Sequence, residues 1–429
     1  MRLIMNSPLI KLSVIGILIL VLLIPMQYVR GLVAERQEFS RAAQSQIQSG
    51  WGDAQTIIGP IFRVETNSGI YRFLLPEEQK TQVDLQTELR SLGIFEVPVY
   101  RARLEAQLHF RLDDQESETF KWETARLIFL ISNSQAVQSS IILKSEGRAG
   151  DSFVPMQNVL AGFQGVELNN VPLQEWMREG SPLNFSLEWV GSKRFECVPA
   201  AKKFVLNIHS NWSEPGFIGF PLPREREWGP EGFTAQWRVA ELAHRFPVAW
   251  SGSELNAKAL VNDAFGVTLH QSASIYQIME RITKYAILFF VLTFGCYFLF
   301  ELLQGIALHP IQYLLVGCAL CLFYVLVLAL GEHMAFHFAY FTAASALTGL
   351  VCFYSAGFLE RGRGPLIIGV VLFSLYGYLF IVLAAADFAL LLGSLALFVL
   401  LASFMTFTRR TNWFQVTKPK PPPVPHTSA

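Results

Sequence analysis

The sequence predicts an integral membrane α-helical protein. It has six transmembrane helices and a large β-rich extracytoplasmic (periplasmic) domain inserted between the first and the second. Three observations carry this. Between Arg281 and His333 lie two apolar runs, separated by a short segment with Gly305 and Pro310. Each is close to the ~20 residues an α-helix needs to cross ~30 Å of hydrocarbon. From Leu366 to Phe407 the only charge is Asp387. As one helix that stretch would reach ~63 Å, about twice the hydrocarbon thickness, so it folds back at Ala386-Asp387. The middle of the chain instead alternates apolar and polar residues, as in LGIFEVPVYRARLEAQLHFRL (92–112), the period of a half-buried sheet.

Taken in order, the chain opens with Arg2 and Lys11 and then LSVIGILILVLLIPM (12–26). A basic start before an apolar stretch also describes a signal peptide. No small-x-small cleavage site follows, and QYVRGLVAERQ reads on as a helix, so an uncleaved anchor is expected. Helical character persists over 33–48, and Trp51-Gly52 ends it. IIGPIFRVET and IYRFLLP flank the turn triplet Asn67-Ser68-Gly69, a hairpin pattern. ARLIFLIS, SSIILKSE, LNFSLEWVGS and KKFVLNIHSNW repeat the strand theme, with short helices expected at 241–246 and 274–284. Further helices are expected at 285–303, 311–330, 336–359, 366–385 and 388–407. The domains are therefore a cytoplasmic stub with the first anchor (1–29), a β-rich domain (30–284), a five-helix bundle (285–407) and a Pro-rich tail (408–429).

Orientation follows from the cations. Arg2 and Lys11, then Arg361 and Arg363, then Arg409, Arg410, Lys418 and Lys420 fall on one side of a six-span arrangement, which makes that side cytoplasmic. Both termini are then inside and the β-rich domain outside. Against this, the 304–310 turn carries no Lys or Arg, while Arg281 and Lys284 lie outside. The formal net charge of zero gives no basic footprint for nucleic acid. Only Cys197 of the five cysteines lies in the β-rich domain, so it holds no internal disulfide.

No G-x-S-x-G, H-E-x-x-H, Walker or G-x-G-x-x-G pattern is present, so the expectation is a non-enzyme without cofactor. Glu332, His333 and His337 are the metal candidates, because an i, i+4 histidine pair on one helix shares a face; the alternative is a set of polar caps at the membrane surface. Glu301, Glu332, His333 and Asp387 are the polar residues of the bundle with a possible transport or lipid-handling role, since ionisable groups in a bilayer are costly. Cys318 and Cys321 have redox spacing in an apolar setting that makes them packing residues. Asn184-Phe-Ser and Asn211-Trp-Ser are sequons, meaningful only in a eukaryotic secretory pathway. The tract 211–239 concentrates Trp212, Arg224, Arg226, Trp228 and Trp237, a candidate partner surface or a folded β core with Pro-bounded turns.

GPIFRV (59–64), SNWSEPGFIGFPLPREREWGPEGFTAQW, RITKYAILFFVLTFGCYFLFELL, LHPIQYLLVG, LALGEH (328–333) and ADFALLLG (386–393) together resemble the CreD inner-membrane family of Gram-negative bacteria. The resemblance runs over nearly the whole chain. It implies a periplasm-facing domain, a bundle in the cytoplasmic membrane, and expression under two-component control. It also implies a role in cell envelope integrity and in responses to β-lactams and colicins. It supplies no catalytic residues. The expected partners are the lipid bilayer and an envelope protein or cell-wall component.

Overall fold

The computed structural model describes residues 8–111, 117–138, 142–145, 148–150, 153–156, 163–168, 174, 182–252, 260–270, 274–304, 308–358, 364–385 and 388–409. Two compact units divide the chain. One is Ser40–Ser272, and the other joins Met1–Phe39 to Ala273–Ala429.

The first element is α1 (Pro8–Trp51), a single helix of 44 residues. It stops where Gly52 takes φ +141° and its α-carbon faces the Val190 carbonyl, 2.9 Å from where a Cβ would stand. Only glycine suits both conditions.

Five strands follow: β1 (Gln55–Thr66), β2 (Tyr71–Leu74), β3 (Glu78–Leu92), β4 (Phe95–His109) and β5 (Phe120–Ile131). Next come β6 (Ile142–Ser145), β7 (Arg148–Gly150), β8 (Phe153–Pro155) and β9 (Gln164–Leu168). The unit continues with β10 (Leu183–Ser192), β11 (Arg194–Cys197), β12 (Lys203–Ser210) and β13 (Pro215–Ile218). It ends with β14 (Glu225–Gly229), β15 (Gly232–Val239), β16 (Ala249–Gly252) and β17 (Phe265–Leu269).

Two sheets result. The first runs β13-β17-β11-β1-β5-β9-β8, with β2 on β1 and β16 on β2. The second runs β14-β15-β12-β3-β4-β10-β6-β7. The β1–β2 hairpin closes over Asn67-Ser68-Gly69 as the turn residues suggest. Of the helices expected in this unit, 241–246 is reduced to a 3-10 turn at Glu241–Ala243.

The sheets face each other. Phe62 and Val64 of β1 share a core with Val83 and Leu85 of β3 and Leu104 of β4. Phe129 of β5 stacks on Phe185 of β10 with ring centroids 4.1 Å apart, and Trp237 of β15 stacks on Phe265 of β17 at 5.7 Å. The first sheet is also covered on its other face, where Ile58, Ile61, Phe73 and Ile128 meet Phe246 and Leu260. Burial on both faces explains the apolar runs IIGPIF (57–62) of β1 and LIFLI (127–131) of β5. Among the described residues the second sheet has one covered face, so burial alternates along its central strands.

The second unit contains α2 (Ile275–Lys284), capped by Ser274, then α3 (Ala286–Gln304) and α4 (Pro310–Gly331), which His309 opens with a capping box. Then come α5 (Phe336–Ala356), α6 (Gly364–Ala384) and α7 (Ala389–Thr408). Among the described residues, α1, α4, α5 and α6 are long and apolar enough to cross a membrane. The α2–α3 pair, bent by 47°, makes a fifth such span.

Candidate functional site

Sheet pairing builds the most distinctive polar surface of the β-rich unit. Along β3 the residues Gln79, Thr81, Val83 and Leu85 point into the core, which turns Gln82, Asp84 and Gln86 outward. β12 lies parallel to β3 and β4 antiparallel, both in unbroken register. The outward residues therefore line up in rows across five strands. One row is Glu225, Gln236, Asn207, Gln82 and Glu105, from β14 to β4. The next row is Glu227, Thr234, His209, Asp84 and Arg103. With Arg226 and Gln86 they line a groove of about 1080 Å³ on the free face of the second sheet.

Its electrostatics are mixed. Four carboxylates (Asp84, Glu105, Glu225, Glu227) share the groove with the Arg103 guanidinium and the exposed imidazole of His209, while Arg226, which pairs with inward Ala235, turns its guanidinium over Phe217 on the other side of the sheet. Arg103 pairs with Glu105 at 2.9 Å, and the Gln236 amide donates to Asn207 at 2.8 Å. Gln86 donates to Asp84 Oδ2 at 3.0 Å, while Asp84 Oδ1 is buried without a partner among the described residues. The groove thus presents both donors and acceptors.

The tract 211–239 divides in two. Trp228, 59% exposed, lies 5.5 Å from the Arg226 guanidinium, and Arg224 is exposed beside it. These belong to the surface. Trp212 is half-buried against the core and donates through Nε1 to the His270 carbonyl at 3.0 Å. Trp237 is fully buried, because Phe233, Ala235, Trp237 and Val239 are the inward positions of β15. Its place among the surface candidates is corrected by that alternation: aromatic density in the tract comes as much from core packing as from exposure.

In the helical unit, Glu301 near the end of α3 is 7% exposed. It is ion-paired with Lys11 of α1 and accepts from the Leu308 amide at 3.0 Å and the Tyr313 hydroxyl at 3.2 Å. A small cavity of about 30 Å³ beside it is lined by Lys11, Glu301, Tyr313 and apolar side chains. Glu332, the C-cap of α4, accepts from the Tyr276 hydroxyl at 3.1 Å and stands 3.9 Å from Arg36 of α1. The two sets share no residue, which disfavours one path running through both acids.

His333 and His337 do not share a helix face. α4 ends at Gly331 and α5 starts at Phe336, with Ala335 extended at ψ 137°, so the i, i+4 relation is broken by the turn. The His337 ring instead lies against Phe338 at 4.2 Å. No group of three or more potential metal ligands occurs among the described residues. Asp387 lies outside the described residues.

Asp84, Arg103, Glu105, Asn207, His209 and Gln236 had no motif to announce them. Their one signal is phase: polar residues at every second position of β3, β12 and β15, opposite the buried set. Lys11 and Arg36 were legible as cations near the apolar run, but not as partners of acids hundreds of residues away.

Known proteins give the context. A sequence model for the family described as Inner membrane protein CreD matches residues 7–414. A curated relative bearing that description, from Escherichia coli (strain K12), is 29% identical over 423 residues, covering 94% of this chain and 93% of its own length.

Proposed function

The chain belongs to the CreD family of inner membrane proteins, and from that premise we propose that it contributes to cell envelope integrity by binding an envelope component through its β-rich unit. The protein is a six-span inner-membrane protein with both termini cytoplasmic and the β-rich unit in the periplasm. The sixth span is α7, 20 residues without a charge. The cations of the sequence support this orientation. The role is one of binding rather than catalysis, exercised under envelope stress such as β-lactam exposure and under two-component control.

One observation carries the reading. The first sheet is covered on both faces, whereas among the described residues the second leaves a face free that is concave, polar and aligned over five strands. A face kept for solubility alone needs no concavity and no buried acceptor without a partner.

The test is complementation of a deletion strain under detergent or β-lactam stress. Asp84→Asn with His209→Ala and Arg103→Ala is expected to fail at normal membrane level, while Glu332→Gln at the α4 cap rescues. Full rescue by the triple groove variant would overturn the reading. Orientation is read separately. A cysteine at exposed Glu123 should react with a membrane-impermeant maleimide in intact spheroplasts, and labelling only after lysis would reverse the topology.

A further inference from the structure

We propose that the groove on the free face of the second sheet takes an uncharged, hydroxyl-rich linear polymer, an oligosaccharide lying across the strands. The inference rests on the binding role above and names the ligand class.

Charge balance comes first. Four carboxylates outnumber the single guanidinium aimed into the groove, that of Arg103, so a phosphate-rich or otherwise polyanionic chain is repelled. A polycationic peptide would satisfy the carboxylates but would set an ammonium group against Arg103 in the middle of the groove. A hydroxyl donates and accepts at once, and so suits amide, carboxylate and guanidinium alike.

The apolar content argues in the same direction. The apolar residues that border the groove, Val83, Ile208 and Ala235, are 2%, 1% and 4% exposed and belong to the core. The floor therefore has no apolar anchor of the sort that centres protein–protein contacts or drug-like pockets. Instead it has hydrogen-bonding heads.

Their spacing is regular. Adjacent strands lie about 4.8 Å apart, so each row of five residues sets its heads at that interval over roughly 19 Å. An extended peptide advances by about 3.3 Å per residue and falls out of step with such a ladder. A polymer of pyranose rings repeats over about one strand spacing and stays in step.

The experiment uses the full chain in lipid nanodiscs and calorimetric titration with three probes: neutral β-1,4-linked hexasaccharides of glucose or of N-acetylglucosamine, hexalysine, and polyphosphate. Saccharide binding weakened at least tenfold by Asp84→Asn, and by Glu105→Gln as a second variant at unchanged melting temperature, is the expected result. Binding of hexalysine or polyphosphate in place of saccharide, with the same sensitivity, would overturn the ligand class and leave the binding role standing. No binding by any probe, with groove variants still failing complementation, would also overturn the class alone. No binding together with full complementation would remove both. Saccharide binding indifferent to both variants would place it elsewhere on the protein and overturn the assignment to the groove.

Discussion

Lys11 and Glu301, 290 residues apart in the chain, form an ion pair in the helical unit. Glu301 is almost wholly buried, and it also accepts from the Leu308 amide and the Tyr313 hydroxyl. Twenty-five positions further along α1, Arg36 approaches Glu332. That separation is about 37 Å of helix axis, comparable to a bilayer with its interfaces. The first helix is thus fastened to the rest of its unit at both ends by charge, not only by apolar packing along its length.

Breaking one side of a buried pair leaves an uncompensated charge. Lys11→Met is therefore expected to destabilise the helical unit by about 3–5 kcal/mol, and Lys11→Met with Glu301→Gln to recover most of that loss. Thermal unfolding in a single detergent, read by loss of protease resistance, compares the two. A double variant no better than the single would refute the pairing.

The other fastening is weaker. Arg36 keeps 44% of its side chain exposed and sits 3.9 Å from Glu332. Solvent screening reduces such a contact to under about 1 kcal/mol. Arg36→Ala should shift the same unfolding curve less than Lys11→Met does. An equal shift would mean that Arg36 is held more tightly than its exposure implies.

Cys197 is sealed in the sandwich core, and burial pushes its thiol up to about 12. In a chain whose other four cysteines are replaced by alanine, an aromatic disulfide reagent at pH 8 should leave Cys197 unmodified until denaturant is added. The sign for stability follows. The unfolded thiol loses its proton near pH 8.5 while the folded one keeps it, so this group favours unfolding as pH rises from about 9 towards 12. Cys197→Ala should flatten that alkaline decline. An unchanged slope would assign the decline to other groups.

Gly232 holds φ +136° between β14 and β15, and a Cβ there would stand 2.1 Å from the Ser210 carbonyl oxygen. Gly232→Ala combines a left-handed backbone with a clash against fixed main chain, each on the order of 1–3 kcal/mol. A lowered melting temperature of the β-rich unit is expected, with groove binding lost alongside it because β14 carries Glu225 and Glu227. Unchanged melting would show that the turn can relax around the extra methyl.

Much of the architecture was legible. Uncharged apolar runs located the helices of the second unit to within a few residues, because nothing else in the chain competes with that signal. LNFSLEWVGS matched β10 at both ends. β3 escaped notice, since half of its inward residues are Gln79 and Thr81 rather than apolar ones, and EQKTQVDLQTELRSL lacks the expected alternation. Its identity as a central strand depends on pairing with β12, more than a hundred residues away. The groove was hidden for the same reason. Asp84 and His209 are ordinary outward residues until the parallel register sets them side by side.

The two parallel pairings also impose a timetable on synthesis. Gln55 of β1 waits for Phe195 of β11, and Glu78 of β3 waits for Lys203 of β12. The first gap is 140 residues, about 7–28 s of translation at about 5–20 residues per second. Throughout that interval the opening strands present unpaired edges. β17, which joins β13 to β11, is made last, just ahead of α2. Closure of the sandwich therefore coincides with emergence of the next apolar span, and any delay in inserting that span finds the β-rich unit already complete.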